Sequence, residues 1–231
     1  MKSLFCSSLF QGLFALLLCL CAARLVDADS NQPSLSEPQP VEIHPNLWRR
    51  QSRTDPEGGG LHRFEKVVTE FLSPEDELYR SSAPFYTGSD SSQKVRGSTV
   101  QALREKKITL VISLNSEAVN DDFLRLFSAN KIEYRAVPVK DYGAPAKQQL
   151  EEVTDAFLAH RGKGGTLVHC GHGSGRTGTA VSAIEMRVQS TLPPDVRKLL
   201  TPDDLKANLV ETPRQIDVLG EYQRRLSPVC G

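Results

Sequence analysis

Cysteine is scarce and unevenly placed. Of the five in 231 residues, Cys6, Cys19 and Cys21 fall within the first 23 positions, leaving only Cys170 and Cys230 beyond them. The body is therefore not a disulfide framework, and each later cysteine has to be read by its surroundings. Net charge is missing as well, with 28 Lys+Arg against 28 Asp+Glu. No global basic field exists to draw nucleic acid or an anionic membrane surface, so neither is expected as a partner. Internal repeats are absent, and Trp48 is the single tryptophan. The remaining composition, 39% hydrophobic and 24% charged, is that of an ordinary globular chain.

The amino terminus carries one early cation, Lys2, an apolar stretch to Ala23 and then small residues. That order is the pattern of a secretory signal, with cleavage after Ala23 or Ala28, and it assigns residues 1–28 to a signal peptide. Ser3 to Ala23 is also free of charge, which keeps an uncleaved anchor as the alternative. The expected location is secreted or periplasmic, with a membrane contact only if this segment is retained. Residues 29–60 hold Pro33, Pro38, Pro40, Pro45 and Pro56 with many Ser and Gln, and end in three glycines. Such a segment buries too little apolar surface to offset the entropy of ordering, so it reads as a tether, with Leu47-Trp48 as a loose docking point.

Residues 61–228 alternate. Apolar β-branched runs occur around Leu78-Tyr79-Arg80 and at 108–114, 132–139 and 165–170. Helical spacing covers Ser98 to Lys106, Asp121 to Ala129, Ala146 to Arg161, Arg176 to Val188, Asp203 to Leu209 and Pro213 to Arg225. The alternation predicts an α/β fold with a central, mainly parallel sheet of four or five strands flanked by helices. Ligands in such sheets bind past the carboxyl ends of strands, and Asp141 and Cys170 both stand there.

Residues 166–179 read TLVHCGHGSGRTGT: a strand, a cysteine, a glycine-rich turn, then Arg176 and Thr177 opening a helix. Backbone N–H groups in such a turn converge on one point, and the helix adds its positive dipole end there. A thiol at the base of that cradle ionises readily, because helix N-termini and nearby cations lower cysteine pKa values to roughly 3.5–7.5. Arg176 adds a planar fork for two oxygens of a tetrahedral dianion. Nucleophile and phosphate receptor coincide.

His169-Cys170-x5-Arg176-Thr177, with Gly173 in place, resembles the signature of the cysteine-dependent protein tyrosine and dual-specificity phosphatases. The resemblance runs over roughly residues 61–228, and Tyr79-Arg80-Ser81 with Pro84 is similar to the entry of the compact dual-specificity branch. It implies that Cys170 is the nucleophile and that Gly171, His172, Gly173, Ser174, Gly175 and Arg176 bind phosphate. It further implies Asp141, 29 residues upstream in VPVKDYGAP, as general acid, Thr177 as donor to the departing sulfur, and Gln215 in LVETPRQIDVL as the residue that orients water. Glu211 stands where tyrosine-specific members carry another glutamine. No phosphotyrosine-recognition loop is found, and the loop lacks the lysines that phosphoinositide-directed members tend to show.

The expected activity is an exported monomeric phosphatase acting on phosphoproteins, tyrosine with serine and threonine tolerance. Inositol phosphates or phosphoinositides come second, an RNA 5′-triphosphate third, and an inactive phosphate-binding module is the non-enzymatic alternative. No metal and no cofactor are called for. Gly173-x-Gly175-x-x-Gly178 also spells a dinucleotide fingerprint, but no apolar strand follows at 190–204. A Walker A loop fails on spacing, His169, Cys170 and His172 make poor metal geometry, and no separate histidine motif supports a cysteine protease. Arg80 reads equally as an ion-pair partner or a site residue. Cys230 is a tail thiol with the alternative of an inactivating disulfide to Cys170.

Overall fold

The computed structural model describes residues 58–227. The signal or anchor segment, residues 29–57 with Trp48, and Cys230 lie outside the described residues. Gly58–Gly60, read from the sequence as the end of the tether, belongs to the body. Gly59 O accepts from Thr99 Oγ1 at 2.8 Å and Gly60 O accepts from Phe85 N at 2.7 Å.

Five strands form one sheet: β1 (Glu65–Lys66), β2 (Leu78–Ser81), β3 (Ile108–Ser113), β4 (Glu133–Ala136) and β5 (Gly165–His169), in the order β1-β2-β5-β3-β4. All neighbours are parallel except β1 with β2. β5 is buried at every position and β3 at all but Thr109, as a strand covered on both faces must be. A register shift between Ile108 and Leu110 turns Ile108 to the side of Val111, while Leu110 and Ile112 face the other way. The irregularity explains why an unbroken apolar run feeds two separate cores.

Helices cover both faces. α1 (Gly97–Glu105) and α2 (Asp121–Ala129) pack with Ile108, Val111 and Leu167, whereas α3 (Lys147–His160) and α4 (Gly175–Ser190) pack with Leu78, Leu110, Ile112 and Val168. α5 (Pro202–Ala207) and α6 (Pro213–Leu226) close a third cluster around Leu150, Met186, Leu219 and Tyr222. Boundaries follow capping chemistry. Asn120 Oδ1 accepts from Asp122 and Phe123 N–H, and Thr201-Pro202 and Thr212-Pro213 open the last two helices with capping boxes. α4 is buried along almost its whole length despite its many small polar residues. It approaches the α5–α6 connection so closely that a Cβ on Gly178 would stand 2.2 Å from Asn208 O. That backbone contact, rather than a dinucleotide, accounts for the third glycine of the fingerprint.

The expected strand over 132–139 is shorter, ending at Ala136. The sequence reading contains no counterpart to β1, which is two residues long and pairs only at the sheet edge.

Candidate active site

β5 ends at His169 and α4 begins at Gly175, so the five-residue turn between them is held at both ends by buried elements. Gly173 takes φ +91°, and a Cβ there would meet the Ser81 backbone at 2.8 Å. Only glycine fits. From beneath, the buried Arg80 donates through Nη2 to Gly173 O (2.9 Å) and through Nη1 to Asn208 O (3.0 Å), while Glu65 stands 3.9 Å away. Arg80 is thus a scaffold for the loop. Asn208 in turn donates to the buried Glu185, whose carboxyl is pushed up by burial.

Cys170 sits at the base, 2% exposed, with Sγ accepting the Gly173 N–H at 3.3 Å. Its own S–H points to Ser174 O at 3.7 Å. His169 is buried and burial pulls its pKa down to about 4, so it is neutral near pH 7. Its Nδ1 lies 3.0 Å from Cys170 O, and a carbonyl only accepts, so the proton is on Nδ1. This residue orders the loop as a neutral donor. The Thr177 hydroxyl is buried without a partner among the described residues, and no hydrogen bond joins it to the Cys170 sulfur. His172 has Nδ1 3.2 Å from Ser174 Oγ.

Arg176 reaches the mouth from the first turn of α4. Asp90 grips it with both oxygens, Nη1 to Oδ2 at 2.6 Å and Nη2 to Oδ1 at 2.9 Å. Nη1 also donates to Val139 O at 3.1 Å, and Nη2 to Asp141 Oδ1 at 2.5 Å. Burial opposes the ionisation of Asp90, but Arg176 and both donors of Ser116 override it and hold the carboxyl below its usual range. Burial likewise works against the Arg176 charge, and Asp90, Cys170 and Asp141 together outweigh it. Asp90 was missed from sequence. Tyr86, near that carboxylate, was missed too: a Cβ on Gly171 would lie 2.8 Å from Tyr86 Cε2.

Asp141 therefore meets Arg176 at the mouth, half exposed, in the loop that follows β4. Gln215, the residue expected to orient water, is bound to that loop. Gln215 Oε1 accepts from Glu211 N (3.0 Å) and Thr212 N (3.1 Å), and Nε2 donates to Gly143 O at 2.9 Å. Both lone pairs of the carbonyl oxygen are used, so Gln215 caps α6 and ties it to the acid loop. Glu211 keeps its carboxylate beside Gly175.

Residues 83–219 match the protein family described as Swiss Army Knife protein, DSP-PTPase phosphatase domain. The chain belongs to this family. Comparison with curated proteins returns no match. Among solved structures, it is similar to a kinase associated phosphatase whose catalytic-site cysteine is replaced by serine, with 18% identity, 65% of this chain and 88% of that chain covered, and a TM-score of 0.52. A phosphatase called Tk-PTP in its active form has 22% identity, 67% and 99% coverage and a TM-score of 0.48. The core catalytic domain of the PP-IP phosphatase SIW14 from S. cerevisiae has 18% identity, 69% and 90% coverage and a TM-score of 0.46.

The family match spans the acid loop, the phosphate loop and the start of α6 in one stretch. The domain is a cysteine-dependent phosphatase of the dual-specificity type, and its glycine-rich loop is fixed between β5 and α4. Its arginine is heavily engaged. In the described residues Asp90, Asp141, Leu114 O and Val139 O take up the Nη hydrogens of Arg176. Asp141 is the half-exposed one of these partners, and the Nε–H of Arg176 makes no hydrogen bond among the described residues.

Proposed function

We propose that this domain hydrolyses phosphate monoesters through a cysteinyl-phosphate intermediate, with phosphotyrosine and, tolerated beside it, phosphoserine and phosphothreonine in proteins as substrates. Carrying the reading is one arrangement: the Cys170 thiol and the Arg176 guanidinium at the two ends of a single glycine-rich loop, with the Asp141 carboxylate 2.5 Å from that guanidinium.

The phosphoryl group enters between the loop N–H groups of residues 171–175 and Arg176, taking the place of Asp141 on Nη2. Freed from that pair, Asp141 lies at the leaving-group side. Once off Arg176, the Asp141 carboxylate takes up a proton from solvent and the Cys170 thiol gives its proton up to solvent; the thiolate then forms the S–P bond as the P–O bond breaks, and Asp141 delivers its proton to the departing oxygen. Charge on the equatorial oxygens is met by donors already in position. In the second half Asp141 takes a proton from water as the water attacks phosphorus, the S–P bond breaks, and phosphate leaves with the thiolate restored. Thr177, buried next to the loop with its hydroxyl unpartnered, is the donor available to that sulfur. Gln215 acts as a positioning residue by holding Gly143. Export, with action outside the cytoplasm, is part of the same reading and rests on the pattern in residues 1–28.

The test is hydrolysis of para-nitrophenyl phosphate by residues 29–231 under reducing conditions, beside Cys170→Ser and with vanadate as inhibitor. Turnover that vanishes in the variant and is blocked by vanadate supports the mechanism. A folded, reduced protein without turnover from about pH 5 to 8 removes it.

A further inference from the structure

We propose that Arg63 forms a second anion subsite at the rim of the phosphate loop, so that the favoured substrate carries a second phosphate beside the one removed. This deepens the phosphomonoesterase reading and rests on it.

The loop itself contributes no lysine, yet a cation is brought to it from the segment before β1. His62 N donates to Ser82 Oγ at 2.9 Å, and Ser82 N donates to His62 O at 2.8 Å. These two bonds clamp the chain beside the end of β2, and the next residue, Arg63, takes φ +55°. A non-glycine residue in that region costs on the order of 1 kcal/mol or more. The conformation sends the guanidinium to the phosphate loop, where Nη1 donates to Ser174 Oγ at 2.5 Å. Ser174 is the buried residue at the N-cap of α4, two positions before Arg176.

Three further observations say what this group is for. First, Arg63 is exposed and has no carboxylate within 4.0 Å among the described residues, in contrast to Arg161 and Arg176. A single donor of its five is engaged there, by a neutral hydroxyl, leaving a planar fork suited to phosphate oxygens. Secondly, its neighbours are imidazoles, which bring no competing negative charge. His172 shares Ser174 Oγ, and His62 precedes Arg63 directly. Thirdly, the carboxylates around the mouth stand by groups other than Arg63. Asp141 stands on Arg176, and Glu211 stands by Gly175 next to the Gln215 that holds the acid loop. A second anion therefore meets the unengaged donors of Arg63 without displacing a carboxylate from them. Substrates that supply such an anion are small polyphosphorylated alcohols and doubly phosphorylated peptides, which share this chemistry.

The experiment compares matched pairs in the wild type and in Arg63→Gln, which keeps a donor for Ser174 without the charge, and in Arg63→Lys. One pair is an inositol bisphosphate against its monophosphate, and the other a doubly against a singly phosphorylated peptide; para-nitrophenyl phosphate is the common reference. Binding of pyrophosphate against orthophosphate is read by calorimetry. The expected result is a wild-type preference for one doubly phosphorylated member, relative to the reference, that falls about tenfold or more in Arg63→Gln through KM. Arg63→Lys restores part of it, and added salt weakens it, as for an exposed charge. The pair that responds identifies the source. A wild type without preference, or an Arg63→Gln enzyme that loses the reference activity and the preferred one in equal proportion, overturns the subsite. If the wild type turns over nothing, the hydrolase reading fails by itself. An Arg63-dependent preference for pyrophosphate then still upholds the subsite, and its absence ends it.

Discussion

Asp90 and Arg176, 86 residues apart in sequence, meet fork on fork with both side chains buried and N–O distances of 2.6 and 2.9 Å. The pair fixes the guanidinium plane before any substrate arrives, so the phosphate meets an oriented receptor. Removing the carboxylate leaves a buried cation with one half-exposed carboxylate and two carbonyl oxygens as partners. Asp90→Ala is expected to lower stability by about 3–5 kcal/mol, the usual cost of breaking a buried pair from one side. Asp90→Asn keeps the shape with less of that loss, and its kcat/KM is expected to drop about a hundredfold through misorientation of Arg176. Urea unfolding and para-nitrophenyl phosphate kinetics on the two variants check this. Wild-type rates in Asp90→Asn would show that the orientation comes from Val139 O and Leu114 O alone.

In the proposed mechanism Asp141 gives up Nη2 of Arg176 to the phosphate. Asp141→Ala therefore changes two quantities in opposite directions. The catalysed rate with a poor leaving group falls about 10²- to 10⁴-fold, the contribution of general acid catalysis. Vanadate or phosphate binds at least as tightly as to the wild type, because a bound competitor has been removed. Isothermal titration beside steady-state rates separates the two, and weaker vanadate binding in Asp141→Ala would count against the exchange.

The difference between what was legible in the sequence and what was not follows the range of the interactions. α2 runs from Asp121 to Ala129 as its periodicity indicates, because Asn120 and the apolar spacing are local causes. Cys170 to Arg176 was legible because a nucleophile, a glycine turn and a helix start fit in one short window. Nothing near Asp90 marks it, since it lies in a Ser-rich stretch on a single 3-10 turn (Asp90–Ser92) with no apolar period. Arg63 is 111 residues from Ser174, and its role exists only after β1 and β2 pair. The hold of Gln215 on its helix start and on Gly143 was not legible, because it depends on its position at N3 of α6 and on a loop 72 residues away.

His169 gives the protein a dependence of stability on pH. Its folded pKa is about 4, lowered by burial from 6.5. Between those values the unfolded chain binds a proton at this residue that the native state does not, so native stability falls as pH drops from 6.5 towards 4 and is unaffected by this group above that window. The full effect is on the order of 3 kcal/mol. His169→Asn retains an N–H for Cys170 O and removes the titration, so the difference in unfolding free energy between variant and wild type is expected to shift by that amount between pH 7 and 4. Parallel curves for the two proteins over that range would show that His169 is protonated in the native state.

The hold of Gln215 on Gly143 makes a prediction about which half of the reaction it serves. A residue that orients the attacking water is needed after the cysteinyl-phosphate has formed, so its loss would let that intermediate accumulate and give a burst of product. Gln215 spends Oε1 on two N–H groups of its own helix start and Nε2 on the acid loop. Its loss therefore loosens Asp141, which acts in both halves. Gln215→Ala is expected to lose about 1–2 kcal/mol of stability with its cap. It is also expected to slow leaving-group departure, most for alkyl phosphates that depend on the acid, with no burst in rapid-quench experiments. Gln215→Glu keeps the oxygen that caps α6 while giving up the donor to Gly143 O, so it should keep stability and still show the leaving-group dependence. A burst in either variant would return Gln215 to the water and leave the acid loop to be held by the Gln149 bond to Pro138 O.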